Sequence, residues 1–499
     1  MTTSETPRRP QGVLTEGVNT AVLRPKRSRG LTFWILVALT VVFTALMFAG
    51  FEKQVVGWLG LGVMLLLIFL RVPVAFALII PGLIGMWIMR GSRSVEGLLA
   101  SIPYEETANW TLTVIPMFIL LGMLVWVSGS MNHFYNAARA LVWRLPGGLA
   151  VGTSLAGAGM AAAGNSLAAA YSLGRVAVPE MLRSGYDGRV VTLTLLAPGM
   201  SGSLFPTSVL LVIYAGVVEV PVGPQLMAGL LPALATVLVF ALVFVAIALI
   251  WPKRGGGSRA MRAEGRRPPK EVAMDLLRSW PLPVIVGVIA GGILTGFFTA
   301  TESAAAAATI MFIAALAIFA KRRDFRPLGR SLLATISTTG MIFLLLMGAN
   351  VLSAMLVQAN IAAGLSEWVS NSNLDRASFI VIMAIVYIIL GTGLDTLAMM
   401  LLTLPVLMPT LETLDISLLW FGVFMVLMGE IAGISPPVGV LLYAVHRLLQ
   451  EKEVNMGTRI SLKDVFISTT YILPGAAVII AILIIWPELA TFLPTLMSQ

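Results

Sequence analysis

Gly164-Asn165-Ser166 sits at the centre of one apolar run, 147–183, and Gly391-Thr392-Gly393-Leu394-Asp395-Thr396 at the centre of another, 376–411. Neither run reads as a plain membrane-crossing helix. Hydrocarbon offers no partner to a free N–H or C=O, so irregular backbone at that depth survives only when buried in protein or lining a polar cavity. Each run therefore reads as a helical hairpin that enters, turns at mid-depth and leaves on the side it came from.

A second interruption follows each hairpin. After the first comes Gly199-Met200-Ser201-Gly202-Ser203-Leu204-Phe205-Pro206-Thr207-Ser208, and after the second Gly433-Ile434-Ser435-Pro436-Pro437-Val438-Gly439. A helix precedes each hairpin, through Ile115-Pro116-Met117-Phe118 in the first half and at 338–358 in the second. The same order twice is an internal repeat. An odd number of crossings before the mid-chain linker makes the repeats inverted, as in secondary transporters. The expected organisation is a basic tail at 1–31, an extra N-terminal helix at 32–50, a first repeat at 51–251, a basic linker at 252–278 and a second repeat at 279–499. The fold class is an all-α polytopic membrane protein.

Composition supports that class. The chain of 499 residues is 58% hydrophobic and 11% charged, with a mean hydropathy of +0.92. A soluble domain has no interior large enough for so much apolar surface. The runs 55–70, 72–89, 111–129, 222–251, 279–298, 302–320, 332–358 and 464–489 each approach or exceed the length a bilayer demands. With the helix at 32–50 starting inside, only Lys53, Arg90, Arg93 and Arg376 of the 33 Lys and Arg fall outside, in keeping with the positive-inside rule. The net charge of +9 is thereby explained by the cytoplasmic loops and implies no nucleic acid. There is no Cys and there are two His, His133 and His446, so thiol chemistry and a His-based metal site are excluded. No phosphate-binding loop and no Ser/His/Asp set point to an enzyme.

Broken helices carry their own chemistry. Carbonyls at the end of a first half-helix coordinate a cation, and amides at the start of the second favour an anion. The tip at 164–166 placed against the break at 199–203 would make an oxygen-lined sodium cage from Asn165, Ser166, Gly199, Ser201 and Gly202. The tip at 391–396 against 432–436 would make a second from Gly391, Thr392, Asp395, Thr396, Gly433 and Ser435. A carboxylate substrate would lie between them, within reach of Ser166, Ser208, Asp395 and Thr396. Acids at mid-membrane depth are functional by default, but Asp395 also suits a helix N-cap. Thr299-x-x-Glu302 reads first as a capping box. Glu430, just before the second break, pairs with a polar neighbour or tunes that site. Arg175 reads as snorkelling to the interface. Trp58, Trp110, Trp143, Trp251, Trp280 and Trp486 read as interfacial anchors.

At these residues the sequence resembles the large, DctM-like membrane subunit of tripartite ATP-independent periplasmic (TRAP) transporters over roughly 55–490. The resemblance rests on Arg71-Val72-Pro73-Val74-Ala75-Phe76-Ala77-Leu78, on Ile115-Pro116-Met117-Phe118 with Gly122, and on Val178-Pro179-Glu180-Met181. It continues through Gly199-x-x-Gly202-x-Leu204-x-Pro206-x-Ser208, Gly296-x-x-Thr299-x-Thr301-Glu302, Leu394-Asp395-Thr396, and Trp420-Phe421-Gly422 through Glu430 to Ser435-Pro436-Pro437-Val438-Gly439. It implies an elevator-type transporter that binds sodium ions. It further implies a small four-helix membrane subunit, a periplasmic binding protein that delivers the substrate, and a small organic acid as cargo. By motif match, Ser166, Ser208 and Asp395 take the family's functional positions. Gly164-Asn165-Ser166, Met200 and Thr207 depart from the family's pattern, all around the first cage. A self-sufficient sodium/anion symporter of related architecture is the competing reading. The membrane would be the bacterial inner membrane.

Overall fold

The computed structural model describes residues 31–162, 166–255, 268–372, 374–391, 393–435 and 439–497. The expected tail at 1–30, the middle of the linker, Asn165 and Thr392 lie outside the described residues. Among the described residues every regular element is helical, and an isolated bridge between Tyr186 and Gly255 is the one extended pairing.

Six helices are long and apolar enough to cross a membrane, or seven if Lys270–Arg278 and Pro281–Leu294, bent by 46° to each other, count as one span. They include Trp110–Ser128, Val222–Ile250, Ala300–Arg322, Arg326–Gln358 and Leu462–Ile485. Shorter apolar helices complete the bundle, and the chain is a multi-pass membrane protein. The expected extra helix is Leu31–Met47, which packs on Lys53–Phe69 through Phe43 and Met47.

The central runs are hairpins of two helices each. The first consists of Gly148–Ala162 and Ser166–Arg183, the second of Arg376–Gly391 and Thr396–Thr413. Broken helices follow, Gly188–Gly202 with Val209–Val218, and Leu418–Gly433 with Val440–Leu448. Over this region the two halves keep one register, offset by 230 residues, from Ser166 to Thr396 and from Arg183 to Thr413. Pro179 and Pro409 fall at the same position of the two 18-residue return arms. Each arm ends the same way. Tyr186 N–H reaches back to Met181 O (3.1 Å) and Ile416 N–H to Leu411 O (2.9 Å). The left-handed residue that such a helix end requires is Gly185 in one half and Asp415 in the other. Asp187 and Ser417 then cap the two break helices. No residue is inserted or lost between the repeats from hairpin to break.

Around this unit stands a frame of closely crossed helices. Val74–Arg90 and Arg326–Gln358 meet at two glycines, one from each. A Cβ on Gly82 would lie 3.0 Å from the Val351 carbonyl, and one on Gly348 would lie 2.9 Å from the Ala75 carbonyl. Small residues at a crossing let backbones approach, which is how helices attract one another where lipid is as apolar as any side chain. Nearby, Met355 fills the notch left by Gly60 and Gly85.

The connecting segments hold amphipathic helices absent from any list of apolar runs: Ser92–Thr107, Ser130–Val142, Pro269–Arg278 and Ile361–Asn371. Ser130–Val142 is pinned to the first hairpin by Arg139, which pairs with Glu180, and by Tyr135, whose hydroxyl donates to Glu180 Oε2 (2.8 Å). His133 Nδ1 lies 2.9 Å from Asp275 Oδ1, which ties the same helix to Pro269–Arg278 at the end of the linker. Arg175, read as snorkelling, pairs with Glu451 at 3.4 Å with both side chains exposed. Glu302 closes the expected capping box with Thr299.

Candidate functional site

The first hairpin is seated on the first break. Gly202 allows the contact: a Cβ there would fall 2.2 Å from the Ala161 Cβ and 2.9 Å from the backbone of Ala161 and Ala162. Thr207 clamps it, its hydroxyl donating to the Ala162 carbonyl. At the start of the return arm, Ser166 lies over Gly199, where a Cβ would meet the Ser166 Cβ at 3.2 Å and its hydroxyl at 3.3 Å. Ser166 Oγ donates to Glu430 Oε2 at 3.3 Å. Hairpin, break and a carboxylate from the other half of the chain therefore meet at one place.

The second hairpin sits on the second break by the same contacts in the same register. A Cβ on Gly391 would fall 2.1 Å from the Ala432 Cβ, and one on Gly429 would fall 2.2 Å from the Thr396 methyl and 2.8 Å from its hydroxyl. The pair Gly202 and Ala161 thus reappears as Ala432 and Gly391 with the small residue exchanged, and Gly199 under Ser166 reappears as Gly429 under Thr396. The carbonyls of Gly433 and Ser435 converge on Gly439, where a Cβ would lie 2.8 Å and 3.1 Å from them.

The two break helices also touch each other. Tyr214 donates to the Leu418 carbonyl (2.7 Å) and Gln225 to that of Leu419 (3.2 Å), both across the repeat boundary. A large side chain at Gly422 would collide with Tyr214 and Gln225. Both seats are therefore parts of one packed unit.

The remaining expected residues have definite places. Asp395 is the N-cap of Thr396–Thr413, its Oδ1 accepting from Ala398 N–H at 2.7 Å, and it is otherwise exposed. Among the described residues its second oxygen takes no hydrogen bond. Ser208 is buried and caps Val209–Val218 by accepting from Leu211 N–H (3.3 Å). Ser201 and Ser435 turn back on their own helices, donating to the carbonyls of Pro198 (3.2 Å) and Ile431 (2.7 Å). Their oxygen lone pairs, not their protons, are what they can still offer a cation. Asn165 and Thr392, expected at the tips, lie outside the described residues.

Three polar groups at the seats were not among the expected ligands. Thr207 stands in the sequence only as a departure from the family's pattern, yet here it clamps the first hairpin. Ser203 donates to the Gly199 carbonyl (3.0 Å) and so orients the oxygen at the end of the first break helix. Of the two readings offered for Glu430, pairing with a polar neighbour or tuning the second break, the structure shows the pairing, and the neighbour is Ser166. Glu430 thus lies against the hairpin of the other half. No local sequence pattern marks that contact, since Ser166 lies 264 residues away in the chain.

In chemical terms the site offers two hydroxyl-bearing helix starts, two sets of helix-end carbonyls and two carboxylates, in a bundle otherwise apolar. Helix starts attract anions and helix ends attract cations. The described residues hold no cluster of three or more His, Cys, Asp or Glu suited to a transition metal.

Residues 61–490 match the family described as the tripartite ATP-independent periplasmic transporter, DctM component. The chain is 30% identical over 354 residues to the C4-dicarboxylate TRAP transporter large permease protein of Pseudomonas aeruginosa, covering 70% of this chain and 80% of that protein. It is 29% identical to the sialic acid TRAP transporter large permease protein of Vibrio cholerae, covering 79% and 89%. Among solved structures it is similar in fold to the YdaH transporter of Alcanivorax borkumensis, with a TM-score of 0.56, 12% identity, and 80% and 90% of the two chains covered.

Proposed function

Because this chain belongs to the DctM component family of tripartite ATP-independent periplasmic transporters, we propose that it is the large permease subunit of a sodium-coupled importer of a small organic acid. The cargo is a carboxylate such as a C4-dicarboxylate or a sugar acid, the chemistry named for the related permeases of Pseudomonas aeruginosa and Vibrio cholerae. A periplasmic binding protein delivers it. A small four-helix membrane subunit works beside this chain, in the inner membrane of a bacterium. The chain moves its cargo chemically unchanged and is not an enzyme.

The observation that carries this reading is the pair of hairpins seated on helix breaks in one register, each with a hydroxyl residue at the start of its return arm, Ser166 or Thr396, against a break glycine. Such a unit binds ions and an anion together. Sodium is a hard cation that prefers oxygen, and the converging carbonyls of Gly433 and Ser435, with the hydroxyl oxygens, supply it. The amides opening the two return arms then face the carboxylate. Asp395 gives the order of events. A substrate carboxylate brought beside an ionised Asp395 is repelled unless a cation lies between them, so sodium binds first and substrate second. That order is what couples import to the sodium gradient. In the elevator reading, the packed unit of hairpins and breaks travels as one body against the frame.

The test is uptake into proteoliposomes of this chain with its small subunit, under an inward sodium gradient, with and without the binding protein and its acid. Uptake that needs both sodium and the binding protein is expected. Uptake with sodium alone would instead make the chain a self-sufficient symporter.

A further inference from the structure

Two carboxylates lie in the seats, and the constant register shows that they are not equivalents of one another. Adding the offset, Asp395 stands opposite Asn165 and Glu430 opposite Met200. The second half of the chain carries both acids and the first half neither. Glu430, however, does not serve its own half. It leaves the break helix Leu418–Gly433 and crosses to the first seat, where its Oε2 accepts from Ser166 Oγ at 3.3 Å. The same oxygen lies 3.0 Å from where a Cβ on Gly199 would stand, so the glycine is what makes room for it.

Among the described residues no Lys, Arg or His pairs with Glu430. The segments 163–165 and 436–438, outside the described residues, contain no basic residue either. A serine hydroxyl is a weak partner for this half-buried carboxylate, and a partly desolvated charge without an opposite partner is costly unless a counter-ion completes it. The neighbours of Glu430 are the hydroxyl of Ser166 and the Gly199 segment, whose carbonyl is held by Ser203 (3.0 Å). Ser166 Oγ spends its proton on Glu430 and keeps its lone pairs, so this oxygen and the carboxylate together can face a cation.

We propose that Glu430 supplies the negative charge of the first cation seat, across the repeat boundary, so that each seat holds one carboxylate: Asp395 in the second and Glu430 in the first. This rests on the sodium-coupled reading above. It adds a consequence that two self-contained seats would not have. A cation at the first seat joins the first hairpin to a helix of the second repeat, so filling that seat locks the two halves of the moving unit together.

The test compares two substitutions in the full-length chain purified in detergent, with the thermal unfolding midpoint followed as sodium replaces potassium at constant ionic strength. Glu430→Gln keeps the shape and removes the charge. Glu430→Asp keeps the charge and shortens the reach. Expected is a rise of about 10-fold or more in half-saturating sodium for Glu430→Gln, by analogy with the loss of a metal-supporting group, and a smaller rise for Glu430→Asp. A Glu430→Gln protein with the wild-type sodium dependence would overturn the proposal, as would Glu430→Gln outperforming Glu430→Asp, since that order belongs to a packing role. A wild-type chain with no sodium response would overturn the sodium reading itself, which separates the two failures.

Discussion

The two hairpins share a seat geometry but not an environment. The outward arm of the first, Gly148–Ala162, is buried along nearly its whole length. Its glycines admit a different neighbour each: Gly152 the backbone of Arg139, Gly157 the ring of Pro198 and Gly159 the ring of Phe134. The outward arm of the second, Arg376–Gly391, turns Val381, Ile385 and Ile389 outward, 50%, 55% and 63% exposed. These are spaced by four and lie on one helix face. An arm enclosed on every side must be built of small residues, because close backbone approach is what holds membrane helices together. An arm at the rim can spend that face on bulky side chains. Inverted repeats of one register thus specify the contact between tip and break, while the surroundings of each tip are free to diverge.

The sharpest way to break this comparison is to fill the seats. Gly202→Ala and Gly391→Ala should each unseat a hairpin, lowering stability by about 1–3 kcal/mol, as overpacking does, and abolishing uptake. The two should differ in rescue. The obstacle at Gly391 is chiefly the Ala432 Cβ, so adding Ala432→Gly should restore the unfolding midpoint and much of the uptake. At Gly202 the Ala161 and Ala162 backbone also stands in the way, so adding Ala161→Gly should not. Equal rescue at both would show that the seats are packed alike.

Next in size come the polar groups. Ser166→Ala and Asp395→Ala should each abolish sodium-driven uptake with the protein still inserted, and near-normal uptake in both would sink the proposed seats. Asp395→Asn sharpens the point. Asparagine caps a helix about as well as aspartate, whereas alanine costs roughly 1 kcal/mol. Asp395→Asn should therefore keep the wild-type midpoint and still lose uptake. Thr207→Val removes one clamp of the first hairpin, a hydroxyl that the second half, with Pro437 at the equivalent position, does not carry there. It should cost about 1 kcal/mol and slow uptake only several-fold, measured by initial rates in proteoliposomes. Glu302→Ala should be the mildest, with a small fall in midpoint and unchanged uptake, because its capping box lies at the start of Ala300–Arg322, apart from both seats.

The hairpins and breaks were legible in the sequence because polar, glycine-rich backbone inside an apolar run has few physical explanations. Glu302 was legible for the same reason in miniature, since a capping box is a local pattern. The amphipathic helices such as Ser130–Val142 were not, because a period of apolar residues diluted by Arg139, His133 and Asn136 does not raise a hydropathy average. Nor was the destination of Glu430. Its partner Ser166 is distant in the chain, and a carboxylate three residues from a break is naturally assigned to that break. Only the contact itself, Ser166 Oγ on Glu430 Oε2 above Gly199, shows that it reaches across.

The crossing of Val74–Arg90 with Arg326–Gln358 has a mechanical consequence. Each repeat lends it one glycine, so at these two points a backbone carbonyl lies directly against the facing helix. A layer of flexible side chains acts as a bearing, letting helices slide by changing rotamers. Bare backbone against bare backbone has no such freedom and resists shear. If the hairpins and breaks travel as the proposed elevator, this crossing is the fixed post, assembled from both halves, that they must move past.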